Sequence, residues 1–167
     1  MPRIITIISD DVPDSTLFIG SALARTPRFT IDRRPDDATF GIVSEETPGR
    51  LALEVARPFM VFDAREVTRM YGVTPPAQWQ PVVLTTCMVP REQQYDMWVD
   101  VVRDVAGMCG GLPVLAGQVI EQPDPWPWVR RPDGRWAPTE DFMDASVAAY
   151  RARAGGEQHE RCGRQQG

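Results

Sequence analysis

Hydrophobic and polar positions follow two different periods along this chain. The run of β-branched residues at 4–9 predicts a buried strand. The alternation of apolar residues with other residues at Leu51–Val55 predicts a strand with one solvent-exposed face. Between Pro90 and Met108 the period is helical, with aromatic residues and valines recurring on one side. The other predicted strands are 29–32, 39–43, 59–62, 81–87 and 112–120, and the other predicted helices are 15–25 and 64–71.

The order of these elements predicts an α+β fold. Two or three helices would cover one face of a mixed but mostly antiparallel sheet. The series of elements begins with a strand–helix–strand unit and ends with another, which is compatible with a ferredoxin-like duplication. No residue-level repeat links the two units.

The amino-acid composition of the chain changes at Gln122. Residues 122–138 hold three tryptophans and five prolines, and the triplet at 132–134 predicts a hairpin turn. Thr139 then caps a last helix that would end near residue 154, before a glycine pair. We therefore expect three parts: an α+β core at 1–121, a Trp/Pro-rich arm with a helix at 122–154, and a disordered tail at 155–167.

Length and composition predict a single domain with a true core. The 167 residues are 43% apolar, so the fold needs no disulfide or metal. Three cysteines at wide spacings do not form a disulfide framework. No stretch approaches the roughly 20 apolar residues of a membrane span, and the apolar run at the N-terminus is too short for a signal peptide. We expect a cytoplasmic protein.

The charge excludes one class of partner. A net charge of −5 without any basic run disfavours nucleic acid, and nothing indicates a membrane surface. All 18 basic residues are arginines, scattered along the chain. An acidic protein of this kind suits a basic protein partner, and a homo-oligomer is also compatible with the sequence.

The motifs of common enzyme classes are absent from the sequence. The single histidine, His159, lies in the predicted tail, which disfavours histidine-based catalysis. There is no C-x-x-C zinc pattern, no P-loop, no G-x-G-x-x-G and no G-x-S-x-G. The sequence predicts no assembled catalytic site, no metal site and no cofactor.

Two groups of residues are candidates for binding. Asp10, Asp11 and Asp14 follow the first strand, where they could hold Mg²⁺. The favoured interpretation is a solvated loop in which Asp14 or Ser15 caps the following helix. The tryptophans of the arm either line a groove or pack locally; they are Trp126, Trp128 and Trp136.

One cysteine is a weak catalytic candidate. Cys87 ends the predicted strand 81–87, and Arg91 would lie in the first turn of the next helix. A helix N-terminus and a guanidinium group both favour a thiolate. A small buried thiol is the favoured alternative.

The leading hypothesis is a non-catalytic binding protein that acts through a protein–protein surface. It is similar in kind, though not in any motif, to the acidic immunity proteins and antitoxins of bacteria. The first alternative is a small enzyme that uses either the Cys87 thiol or a divalent metal on Asp10 and Asp11. The second is a structural subunit of a phage or other particle, which would self-associate through the Trp arm.

Overall fold

The computed structural model describes residues 1–33 and 39–163, and the side chains within these ranges as far as residue 154. Within this part the chain forms four helices, one eight-stranded sheet and one two-stranded sheet, which confirms the predicted α+β class. Every strand pair of this part is antiparallel, so the expectation of a mixed sheet is wrong.

The strands are β1 Arg3–Ser9, β2 Phe29–Arg33, β3 Phe40–Ser44, β4 Leu51–Val55, β5 Phe59–Val61, β6 Val82–Val89, β7 Leu112–Leu115, β8 Gln118–Val119, β9 Trp128–Arg130 and β10 Trp136–Pro138. The helices are α1 Ser15–Arg25, α2 Ala64–Tyr71, α3 Asp96–Met108 and α4 Glu140–Gly163, and a 3-10 turn at Gln93–Tyr95 precedes α3.

The large sheet has the strand order β2-β3-β4-β6-β1-β7-β8, and β5 continues along β6 beyond the end of β4. The central strands β1 and β6 are each followed by a helix, α1 and α3 respectively. The central order β4-β6-β1-β7 is compatible with a ferredoxin-like arrangement. That assignment stays a prediction, because β2, β3, β5 and α2 have no counterpart in it.

The sheet buries side chains on both faces. Ile7 belongs to the cluster that contains Phe18 of α1 and Trp98 of α3. Its neighbour Ile8 belongs to a second cluster, with Val67 of α2. Because successive side chains of a strand point to opposite faces, α2 lies across the sheet from α1 and α3. Two helices, α1 and α3, thus cover one face of the sheet as predicted, and α2 lies on the other face.

The Trp/Pro-rich arm forms the predicted hairpin. Strands β9 and β10 pair with each other in the two-stranded sheet, and Gly134 adopts the positive φ of 83° that the turn requires. Trp128 of β9 packs between Ala24 of α1 and Met108 of α3. The arm is thus held against the pair of helices on one face of the large sheet.

Two strand boundaries differ from the prediction. Strand β6 continues past Cys87 to Val89, because Cys87 lies opposite Ile5 in the interior of the sheet. The predicted strand 112–120 is two strands, since Ala116 and Gly117 form a tight turn with φ angles of 52° and 79°.

The last helix also differs from its predicted extent. Thr139 caps it as predicted, since its Oγ1 accepts a hydrogen bond from the backbone N–H of Phe142 at 3.3 Å. The helix then passes through Gly155 and Gly156 to Gly163 instead of ending at the glycine pair. A helical glycine costs only about 1 kcal/mol, which the surrounding helix-forming residues offset. Residues 164–167 of the predicted tail lie outside the described part.

No helix in the described ranges combines the length and the apolar composition needed to cross a membrane.

Candidate functional site

Three parts of the fold meet near the start of α1 and form an open groove. They are the loop that joins β1 to α1, the C-terminal end of α3, and the β9–β10 hairpin. The residues that line this Asp/Trp groove are Asp10, Asp11, Val12, Pro13, Asp14, Leu17, Gly107, Met108, Cys109, Gly110, Arg130 and Trp136. The structure therefore brings the three predicted aspartates together with one of the three predicted tryptophans.

The aspartate loop forms one wall of the groove. Asp14 is the N-cap of α1, and its Oδ1 accepts a hydrogen bond from the backbone N–H of Thr16 at 2.9 Å. Oδ1 of Asp11 accepts from the backbone N–H of Val12 at 2.7 Å. Within the described ranges, Asp10, Asp11 and Asp14 form no ion pair. The loop therefore presents three exposed carboxylates that a cation can reach.

The hairpin forms the opposite wall. Trp136 of β10 lies directly opposite Arg130 of β9, so the two side chains share one face of the hairpin. Trp136 is half-buried and Arg130 is exposed. No ion pair joins this arginine to the aspartate loop in the part of the chain that is described. The groove thus has an acidic wall facing a wall that is aromatic and basic.

Trp126 has a packing role at the edge of this groove. Its ring lies against Gly107 of α3, where a side chain would collide with it. The close approach ties the segment before β9 to the end of α3. Of the alternatives for Trp126, local packing is the one that this geometry favours.

Trp128 and Trp136 together line a second cavity beside the groove. This α1 pocket has a volume of about 450 Å³ and shares Leu17, Met108 and Trp136 with the groove. Trp128 itself is only 4% exposed and packs against Phe142 with a distance of 5.8 Å between the ring centroids. The residues that line the pocket are Thr16, Leu17, Gly20, Ser21, Met108, Trp128, Arg135 and Trp136.

The pocket includes residues that the sequence analysis did not single out, Gly20 above all. Gly20 lies in the middle of α1, and no atom outside the helix backbone lies within 4 Å of the position that a Cβ would occupy. The sequence did contain a signal that could have identified this position, a glycine inside a predicted helix. A glycine in the middle of a helix often has a packing or functional reason.

A buried polar network fixes α1 against α3 beneath the pocket. Asp104 of α3 is completely buried, and its Oδ2 accepts hydrogen bonds from Ser21 Oγ at 2.8 Å and from Arg25 Nη2 at 2.6 Å. The Arg25 guanidinium also lies 5.0 Å from the centre of the Phe142 ring of α4. One arginine therefore connects three helices, and Ser21 connects this network to the pocket.

The thiol candidate is not placed as the sequence suggested. Cys87 is completely buried inside β6, away from any helix N-terminus, and Arg91 lies on the surface before α3 begins. Burial raises the pKa of the Cys87 thiol far above its ordinary value. The geometry therefore does not provide the activation by a helix and by Arg91 that the weak catalytic candidate required, and the structure agrees with the favoured interpretation of a buried thiol.

Cys109 is the thiol that lies in the groove. Burial raises its pKa to about 11, and the carboxylates of Asp10 and Asp11 add to the rise. Its Sγ donates to the backbone oxygen of Ala106 at 3.4 Å. At neutral pH this thiol is protonated, which makes it a weak nucleophile.

The metal alternative gains no support from the geometry. Among the described residues, no group of three or more histidine, cysteine, aspartate or glutamate side chains is arranged to hold a metal ion. Oδ1 of Asp11 and Oδ1 of Asp14 each accept one hydrogen bond from a backbone N–H group of their own loop.

Comparison of the chain with protein-family models, with curated proteins and with solved structures found no match.

Proposed function

We propose that this protein is a non-catalytic binding protein that holds a basic segment of another protein in the Asp/Trp groove. In this proposal it acts as bacterial immunity proteins and antitoxins do, by covering a surface of its partner. A cytoplasmic location belongs to the same proposal.

The observation that carries the proposal is that Trp136 lines the same groove as the exposed carboxylates of Asp10 and Asp11, which form no ion pair within the described ranges. A lysine or arginine side chain in the groove would pair with the carboxylates and meet the face of the indole ring. The net charge of −5 would also accelerate the encounter with a basic partner.

Both enzyme alternatives are weaker on the same geometry. Cys87 is buried and Cys109 is protonated at neutral pH, so neither thiol has the properties of a nucleophile. The aspartates do not form a metal-binding group within the described ranges.

The assembly-subunit alternative has support from a different surface. Phe59 and Met60 of β5 are 46% and 56% exposed, and the next large apolar side chain, Phe62, is 80% exposed. Sedimentation over a range of concentrations tests this second proposal. A mass that rises with concentration in the native protein, and not in a Phe62→Ser variant, would support self-association through β5 instead of through the Trp arm.

An affinity pull-down with tagged protein at low and high salt tests the main proposal. We expect one dominant basic protein, retained at low salt and lost at high salt. The double variant Asp10→Asn/Asp11→Asn should bind that protein more weakly and with a smaller salt dependence of the association rate.

The matched control removes two charges elsewhere. Glu45→Gln/Asp144→Asn changes the net charge by the same amount at two exposed positions outside the groove. If both double variants weaken binding equally, net charge and not the groove is responsible. An empty pull-down at low salt would contradict the proposal.

A further inference from the structure

One wall of the α1 pocket contains a glycine in the middle of a helix, Gly20. Gly20 is an exposed residue of α1, and a side chain at this position would enter open space. Glycine in the middle of a helix is less favourable than alanine by roughly a factor of four in the folding equilibrium. Neither packing nor backbone conformation requires it here, since no neighbour lies within 4 Å and α1 is regular. Its visible effect is to keep the pocket open.

The remaining walls are suited to an aromatic group. Leu17, Met108, Trp128 and Trp136 provide aliphatic, thioether and indole surfaces. Indole rings pair favourably with other aromatic rings, and methionine adapts its shape to what it contacts. The volume of about 450 Å³ is within the range of pockets that bind small organic groups.

Arg135 adds a basic group at the rim. Its side chain is 85% exposed, and its nearest carboxylate oxygen, Oδ2 of Asp133, is 4.0 Å from Nε. A guanidinium group this weakly paired can stack on the face of an inserted ring. An aliphatic side chain would make no such contact.

We propose that the α1 pocket is the anchor subsite of the partner segment and receives one aromatic side chain that neighbours the basic residues bound in the Asp/Trp groove. The pocket and the groove share Leu17, Met108 and Trp136, so one segment can occupy both. An aromatic anchor in a pocket with charged groups around it is the usual composition of a binding hot spot. This inference rests on the proposed function.

Three capped peptides test the inference: Arg-Phe-Arg, Arg-Leu-Arg and Arg-Ala-Arg, measured by calorimetry. We expect Arg-Phe-Arg to bind about tenfold or more tightly than Arg-Ala-Arg, because the phenyl group is buried in the pocket. Arg-Leu-Arg should be intermediate. Equal affinity of Arg-Leu-Arg and Arg-Phe-Arg would overturn the aromatic preference.

The variant Gly20→Leu fills the pocket from inside α1. It should remove the advantage of Arg-Phe-Arg over Arg-Ala-Arg, because the phenyl group can no longer enter the pocket. The variant Gly20→Ala checks the fold, since it should raise the melting temperature and retain most of the advantage. An advantage that persists in Gly20→Leu would overturn the inference while the groove proposal stands.

Nuclear magnetic resonance with N-acetylphenylalaninamide separates the pocket from the groove. This probe has no positive charge, and it should shift the indole N–H signals of Trp128 and Trp136 but not those of Trp79 and Trp98, which lie in the two main core clusters. If no peptide binds and this shift is seen, the groove proposal fails and the aromatic pocket stands. Unchanged Trp128 and Trp136 signals would overturn the pocket inference.

Discussion

Gly107 and Trp126 are in contact at a distance that no side chain would permit. A Cβ atom at residue 107 would lie 2.9 Å from Cζ2 and Cζ3 of the Trp126 ring, and still closer to Cη2. The ring is therefore fixed on the surface of α3, directly beside the residues that form the Asp/Trp groove. A methyl group at residue 107 would therefore displace the Trp126 ring from α3.

The substitution Gly107→Ala should lower the free energy of unfolding by about 1–2 kcal/mol. The reason is that overpacking costs more than the higher helix propensity of alanine gains. Urea unfolding measures the change, and the emission of Trp126 should shift as its ring moves into solvent.

Gly20→Ala is the matched control in α1. It introduces the same methyl group into open space and should raise the free energy of unfolding by about 0.5–1 kcal/mol. Opposite signs for the two variants are expected. If Gly107→Ala is also stabilising, Trp126 does not rest on α3 in solution.

The buried pair of Asp104 and Arg25 should be strongly coupled. Replacing Asp104 by Asn leaves the guanidinium of Arg25 without its closest carboxylate in a site where its side chain is only 12% exposed. We expect a loss of about 3 kcal/mol in the free energy of unfolding. A double-mutant cycle with Arg25→Gln should recover part of this loss, because the second substitution removes a guanidinium group that would otherwise keep only the more distant carboxylate of Asp100, at 3.7 Å.

Asp144→Asn provides the comparison for this cycle. Asp144 is an exposed residue of α4, and its substitution should change stability by less than about 0.5 kcal/mol. Additive effects of Asp104→Asn and Arg25→Gln would show that the pair does not contribute as a unit.

Asp100 should contribute a free energy of unfolding that falls as pH rises, which is the opposite of the usual effect of an aspartate. Burial raises the pKa of its carboxyl group above the ordinary value of 3.8, although Arg25 and Arg103 oppose the rise. The folded state therefore holds this proton more tightly than the unfolded state does, and the contribution of Asp100 to stability falls as pH rises through its folded pKa.

The variant Asp100→Asn isolates that contribution. The stability of the native protein relative to the variant should decrease as pH rises from below 3.8 to beyond the raised value, and should then stay constant. Urea unfolding at a series of pH values measures this difference. A difference that increases over the same interval would mean that the arginines outweigh burial.

The two described thiols should react in a fixed order. In a Cys162→Ser variant, iodoacetamide should leave Cys87 unmodified until the protein unfolds, since this residue is completely buried. Cys109 is partly accessible and should react slowly at neutral pH, with a rate that rises with pH towards its pKa of about 11. Fast alkylation of Cys87 in the folded protein would revive the thiol-enzyme alternative.

Local signals predicted the elements whose ends are determined locally. The end of α1 at Arg25 follows from Pro27, a residue that cannot continue a helix, and the hairpin follows from the Pro132-Asp133-Gly134 turn. The end of β6 at Val89 was missed, because it depends on pairing with Arg3 at the other end of the central strand. Burial by a distant strand leaves no local trace in the sequence.

In the candidate site, too, local features could be predicted from the sequence, whereas features that depend on distant contacts could not. The sequence shows the aspartates Asp10, Asp11 and Asp14 and the tryptophans of the arm as unusual clusters of residues. That these aspartates and Trp136 line one groove depends on the packing of α1, α3 and the hairpin. The pocket was missed for a related reason. A helical glycine is recognisable in the sequence, whereas the open space above it is a property of the assembled fold.

The two walls of the groove belong to different structural units. The aspartate wall continues the central strand β1 of the large sheet, whereas Trp136 and Arg130 lie in a two-stranded sheet whose strands pair only with each other. Under the proposed function, substitutions at Arg130 or in the turn after it should therefore change which segment is bound without disturbing the main sheet. The proposed binding surface can then be varied independently of the strands that build the core.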